Sequence, residues 1–157
     1  MREPTVLVVD DDAAMRDFLK KSLAPENLAI HMAASGEEAI KQAFALIPDL
    51  VLLDLRMPAI DGVAVCRAIR KSDKIGNIPI LIVTGSLSRE QIEESMTAGA
   101  DDFVSKPIDT QDLCIRVRAL LKWKHIVDPV ERLQRYVESV REMSDELPPP
   151  GAPSDEP

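Results

Sequence analysis

The chain has 157 residues, 45% of them hydrophobic but only 3% aromatic, and a formal net charge of -8. That length suits one domain with a real core plus a short appendage, and the core must be aliphatic. The negative balance speaks against nucleic-acid binding, which needs clustered Lys and Arg, and against anionic membrane surfaces.

The first element in chain order is a strand at Val6–Val9, ending in Asp10, Asp11 and Asp12. Met15, Phe18, Leu19, Ser22 and Leu23 then form a stripe at helical spacing. A second strand is expected at Leu28–Met32, followed by a stripe of Ala39, Ile40, Ala43, Phe44 and Ile47 behind a capping box of Ser35 and Glu38. The third strand, Leu50–Leu55, contains Asp54, and Val65, Cys66 and Ile69 mark the helix after it. A fourth strand at Ile78–Thr84 leads to a weaker stripe, Ile92 and Met96, capped by Ser88 and Gln91. Gly99 stands where that helix should end in a left-handed residue. The fifth strand, Asp102–Ser105, precedes Lys106-Pro107 and a helix capped by Asp109 and striped by Leu113, Val117, Leu120 and Leu121.

Strands alternating with helices predict an α/β fold, a doubly wound five-stranded parallel sheet with helices on both faces. Near-continuous apolar strands such as LVLLDL and IPILIVT agree, because parallel strands are buried on both sides. Residues 1–125 form this domain. Residues 126–147 predict a C-terminal helix, with Pro129 at its first position and a stripe of Val130, Leu133, Val137, Val140 and Leu147 interrupted by Ser144. That helix would dock on the domain, pair with a second copy in a homodimer, or serve as a linker to an output domain of a longer chain. Residues 148–157 carry no packing pattern and read as a disordered tail.

The two cysteines, Cys66 and Cys114, form no CxxC pair and read as reduced thiols. The N-terminus carries acids where a signal peptide would be apolar, and no run approaches the roughly 20 apolar residues of a membrane span. A cytoplasmic location follows as an expectation.

Ligands of doubly wound sheets bind beyond the carboxyl ends of the strands. If strands three and two flank strand one, Asp10, Asp11, Asp54, Thr84 and Lys106 converge there. Crowded carboxylates repel each other unless a cation joins them. Oxygen ligands without His or thiolate suit a hard ion, Mg²⁺ before Zn²⁺. A nucleophilic carboxylate (Asp54), a hydroxyl donor (Thr84) and a fixed cation (Lys106) are the parts phosphoryl transfer needs. Each has a plain alternative: an acidic turn, a strand-end cap, a solvated lysine. The signal lies in their combination and order.

VLVVDDDAAMRDFL, VLLDLRMPAIDG, ILIVTG and AGADDFVSKPID, in this order, resemble the receiver domain of bacterial response regulators in two-component signalling, the chemotaxis receiver among them. The resemblance runs from about Thr5 to Lys124. It implies the flavodoxin-like strand order 2-1-3-4-5 and a phosphorylation-activated switch. Asp54 would accept a phosphoryl group from a histidine kinase or phosphotransfer protein. Asp11, Asp54 and the backbone carbonyl of Arg56 would hold Mg²⁺, with Asp10 orienting metal waters. Thr84 and Lys106 would engage the phosphoryl oxygens, and Thr84 and Phe103 would be the switch pair. Arg56 and Ser86 would tune the dephosphorylation rate, and Pro107 would follow a cis peptide. Phe103 lacks a tyrosine hydroxyl, which removes partner contacts through that group.

The downstream target would meet a face made by the fourth helix, fifth strand and fifth helix. Family members commonly continue into an output domain, for which the stretch after Trp123 is too short. The chain would be no enzyme beyond its own phosphorylation and dephosphorylation. Three other readings compete. A receiver-like scaffold would usually lack one of Asp11, Asp54, Thr84 and Lys106. A phosphatase of the haloacid dehalogenase type needs a second acid two residues after its nucleophile, where Arg56 stands. An FMN module would put Ser and Thr after the first strand, where acids lie here.

Overall fold

The computed structural model describes residues 2–85 and 88–146. Five strands form one parallel sheet: β1 (Thr5–Val9), β2 (Ala29–Ala33), β3 (Leu50–Leu53), β4 (Ile80–Thr84) and β5 (Asp102–Ser105). Their order is β2-β1-β3-β4-β5, as expected. Six helices connect and follow them: α1 (Ala13–Ser22), α2 (Gly36–Leu46), α3 (Gly62–Arg70), α4 (Arg89–Thr97), α5 (Thr110–Trp123) and α6 (Pro129–Asp145).

The period-two alternation of strand side chains splits the apolar interior in two. Leu7, Val9, Val51, Leu53, Ile80 and Ile82 pack with Val63, Val65, Cys66 and Ile69 of α3. Val6, Val8, Leu50, Leu52, Leu81 and Val83 pack with Leu19 of α1 and Leu113, Val117 and Leu120 of α5. All twelve strand residues are essentially inaccessible to solvent, which is why these runs read as continuously apolar.

The strand ends differ from expectation for local reasons. β3 stops at Leu53, so Asp54 and Leu55 belong to the loop beyond it. β4 starts at Ile80, because Pro79 has no N–H to donate; its carbonyl still accepts from Val51. α2 ends at Leu46 rather than at Ile47, which is left-handed with φ 48°. Pro48 disfavours helical geometry at Ile47. A β-branched residue is strained in that conformation.

The caps are made as their spacing predicts, with one change. Ser88 and Gln91 form a complete capping box. Ser35 accepts from the amide of Glu38, but the Glu38 carboxylate reaches back to Ala34 instead of Ser35. Gly99, just past α4, has φ +111°. Asp12 caps α1 through the amide of Ala14.

Helix α6 packs along α5, but not through the stripe expected of it. Val130, Leu133 and Val137 are 65%, 54% and 44% exposed. The buried residues are Tyr136 and Ser139, with Val140 beside them. The expected contact at Leu147 and the tail at 148–157 lie outside the described residues, as does Ser86. No helix among the described residues is long and apolar enough to cross a membrane.

Candidate functional site

The loops following β1, β3, β4 and β5 meet at the carboxyl edge of the sheet. The register places Val9 opposite Leu53 and Thr84 opposite Ser105, so Asp10, Asp54 and Lys106 emerge side by side. Asp54 is fastened by its amide, which donates to Val9 O at 2.9 Å, and Lys106 by its amide on Thr84 O at 2.9 Å.

Carboxylate oxygens of Asp10, Asp11 and Asp54 lie within 4.8 Å of one another. Asp10 and Asp54 are 1% and 5% exposed, while Asp11 faces solvent. Asp10 is satisfied within the protein: its Oδ1 accepts from the amide of Asp12 at 2.9 Å, and its Oδ2 from Lys106 Nζ at 2.9 Å. Lys106 stands 3.9 Å from Asp54 Oδ2, so the lysine rests on Asp10 and only borders Asp54. Asp54 Oδ1 takes a long bond of 3.4 Å from the amide of Arg56.

The Asp54 carboxyl is therefore pushed up from its ordinary value. Burial is the main cause and the Asp10 charge the second; Lys106 and the Arg56 amide oppose them. The neighbouring Thr84 hydroxyl opposes them too, least of all, although no bond of ordinary length closes between it and Asp54. Thr84 is fully buried, and among the described residues its Oγ1 has no hydrogen-bond partner. A buried hydroxyl left unpaired costs about 1–3 kcal/mol.

Oxygen-only donors at this spacing fit a hard divalent cation, as no imidazole or thiolate belongs to the cluster. The Lys106–Pro107 peptide is cis. Phe103 is half-buried and packs against the interior half that holds α3. Arg56 follows the loop two residues after Asp54. Arg16 is a neighbour that sequence reasoning missed: its Nη1 donates to Asp10 O at 2.7 Å. Its place one turn into α1 was the available signal.

The site is thus an acidic pocket with one lysine and one buried hydroxyl, set at the edge of a 2-1-3-4-5 sheet. Residues 6–118 match the response regulator receiver domain, and the chain belongs to that family. Transcriptional regulatory protein ResD of Bacillus subtilis is 40% identical over 120 residues, covering 76% of this chain and 49% of ResD. RpaA of Synechocystis, a DNA-binding dual master transcriptional regulator, is 34% identical over 119 residues, 76% of this chain and 49% of RpaA. The chain spans about half the length of these curated relatives. Among solved structures, the chemotaxis protein CheY4 of Vibrio cholerae superposes with a TM-score of 0.72 at 27% identity, covering 76% of this chain and 99% of CheY4. The receiver domain of Francisella response regulator 1452 does so with 0.70 at 32%, covering 76% and 98%.

Proposed function

We propose that this receiver domain is a phosphorylation-driven switch in which Asp54 is the phosphoacceptor. The observation that carries the reading is the buried Thr84 Oγ1, which has no hydrogen-bond partner among the described residues, beside the Asp54 carboxylate. It is a buried donor to which acceptor oxygens added at Asp54 would offer a partner.

In the proposed reaction an Asp54 carboxylate oxygen bonds to phosphorus as the bond from phosphorus to the donor breaks. The donor is a phosphohistidine on a histidine kinase or phosphotransfer protein. Asp10, Asp11, Asp54 and the backbone carbonyl of Arg56 would hold Mg²⁺, which supplies charge neutralisation for the incoming phosphoryl oxygens. Asp54 comes to the reaction desolvated and crowded by Asp10, and the acyl phosphate it forms carries its negative charge on the phosphoryl oxygens instead of the carboxyl oxygens. Lys106, 3.9 Å from Asp54, has a short way to travel to a phosphoryl oxygen.

Phosphorylation adds about 1.5–2 negative charges and three acceptors. Thr84 turns to one of them, and Phe103 moves into the space vacated. The face of α4, β5 and α5 then changes for a downstream protein or an output domain such as longer relatives have. Arg56 and Ser86 set the lifetime of the modified state. The chain catalyses nothing beyond its own phosphorylation and dephosphorylation, works in the cytoplasm and contacts no nucleic acid itself.

The test is incubation with Mg²⁺ and acetyl phosphate beside Asp54→Asn, read by intact mass. One added phosphate in the parent and none in the variant is expected. No phosphate on a folded, Mg²⁺-loaded parent would leave a scaffold as the surviving reading.

A further inference from the structure

The face expected to change on phosphorylation is partly covered by the chain's own last helix. Helix α6 returns along α5 after the short connection at 124–128 and reaches across to the first residue of β5. Asp102 is the meeting point. Its Oδ2 accepts from Arg116 of α5 and from the hydroxyl of Tyr136 of α6. Its Oδ1 accepts from the amide of Phe103 at 2.8 Å. One turn earlier in α6, Arg132 bonds Asp101 Oδ1 and Asn77 O, each at 2.8 Å. At the far end of α5, Trp123 Nε1 donates to Ser139 Oγ at 2.7 Å.

We propose that α6 is a strap: docked on β5 and α5 it favours the unphosphorylated form, and phosphorylation of Asp54 releases it. This rests on the phosphoacceptor reading above. Three features carry it.

The first is the state of the site. With α6 docked, Lys106 rests on Asp10 and Thr84 Oγ1 has no partner among the described residues, which is the arrangement before a phosphoryl group arrives. The second is the mechanical connection. Lys106 and Thr84 are joined by a backbone bond, and from Lys106 the strand β5 runs directly to Phe103 and Asp102. A pull at Lys106 and a turn of Phe103 both act on the residue whose carboxylate holds Tyr136. The third is how weakly α6 is held. Of its 17 residues only Tyr136 and Ser139 are buried, and helices in proteins draw most of their stability from tertiary packing. Elements that move in switches come from this low-stability end.

The coupling is reciprocal: whatever unties α6 must favour the phosphorylated form by the same factor. Tyr136→Phe removes one hydroxyl and leaves Asp102 its bonds to Arg116 and Phe103, so the domain should fold. Trp123, the only tryptophan of the chain, sits on the seam between α5 and α6 and reports docking.

The experiment uses the full chain with Mg²⁺ and either acetyl phosphate or beryllofluoride, a non-covalent mimic of the phosphoryl group. Amide exchange in α6 and Trp123 emission are read together with intact mass. Phosphorylation is expected to speed α6 exchange roughly tenfold and shift Trp123 emission to the red. Tyr136→Phe should show the faster exchange without phosphate and bind beryllofluoride tighter by a similar factor. A chain carrying phosphate on Asp54 with α6 exchange unchanged or slowed overturns the strap and leaves the phosphoacceptor reading standing. A chain taking neither phosphate nor beryllofluoride overturns that reading, and the strap with it.

Discussion

The closest backbone approach near the site is at Gly62, and it can be tested by one methyl group. A Cβ at Gly62 would lie 2.3 Å from Asp54 O and 2.8 Å from Leu55 Cα, against a practical limit of 3.0 Å. Both neighbours are backbone, and the Gly62 amide also donates to Leu55 O at 3.0 Å. In Gly62→Ala the start of α3 must therefore retreat by about 0.7 Å from the loop that carries Asp54. Overpacking of this kind costs about 1–3 kcal/mol. For a chain of this size that lowers Tm by about 3–10 °C. The strain falls on Asp54, the proposed phosphoacceptor, where small misplacements cost one to two orders of magnitude, so phosphorylation should slow by roughly tenfold or more. Gly85→Ala is the matched control: among the described residues its Cβ meets nothing nearer than Lys106 Cδ at 3.7 Å, an ordinary contact. Thermal melts by circular dichroism and acetyl phosphate labelling read by mass suffice. If Gly62→Ala melts and labels like Gly85→Ala, the close-approach argument is wrong.

Two further predictions concern the frame. Arg70 donates to the carbonyls of Gly99, Gly76 and Ile78 and to Asp101 Oδ2, tying α3 to the loops before β4 and β5. Lysine cannot reproduce that fork, so Arg70→Lys should cost about 2–4 kcal/mol in urea unfolding, and a loss under half a kcal/mol would show the fork to be dispensable. Burial pushes the Cys66 thiol up to about 11, so it stays protonated, and unreactive, at every pH below that value while the fold persists. Iodoacetamide at pH 8.5 should label Cys66 only in denaturant; fast labelling of the native chain would contradict its burial.

The sheet was readable because Val6–Val9, Leu50–Leu53 and Ile80–Thr84 are buried on both faces, and few other roles account for such runs. The convergence of Asp10, Asp54, Thr84 and Lys106 was readable from strand order, since each sits at the end of a strand. What stood closed to sequence reasoning was the docking face of α6. Of the apolar stripe, Val140 packs inward but Val130, Leu133 and Val137 face solvent, whereas Tyr136 and Ser139 are buried because their polar tips meet Asp102 and Trp123. Amphipathic side chains hide their partners from any apolar count. The resting place of Lys106 was likewise invisible: Asp10 and Asp54 are equally plausible partners until distances exist.

The divided interior has a meaning for descent. Leu55, Met57 and Val63, beneath the phosphoacceptor loop, belong to one half, and Tyr136 with the α5 residues to the other. Only sheet backbone stands between them. A lineage could exchange α6 for another appendage, and so acquire a different listener, by repacking the far half alone. The reacting residues would be inherited unchanged, the new appendage would reset only the balance between the two forms, and the message would find a new recipient.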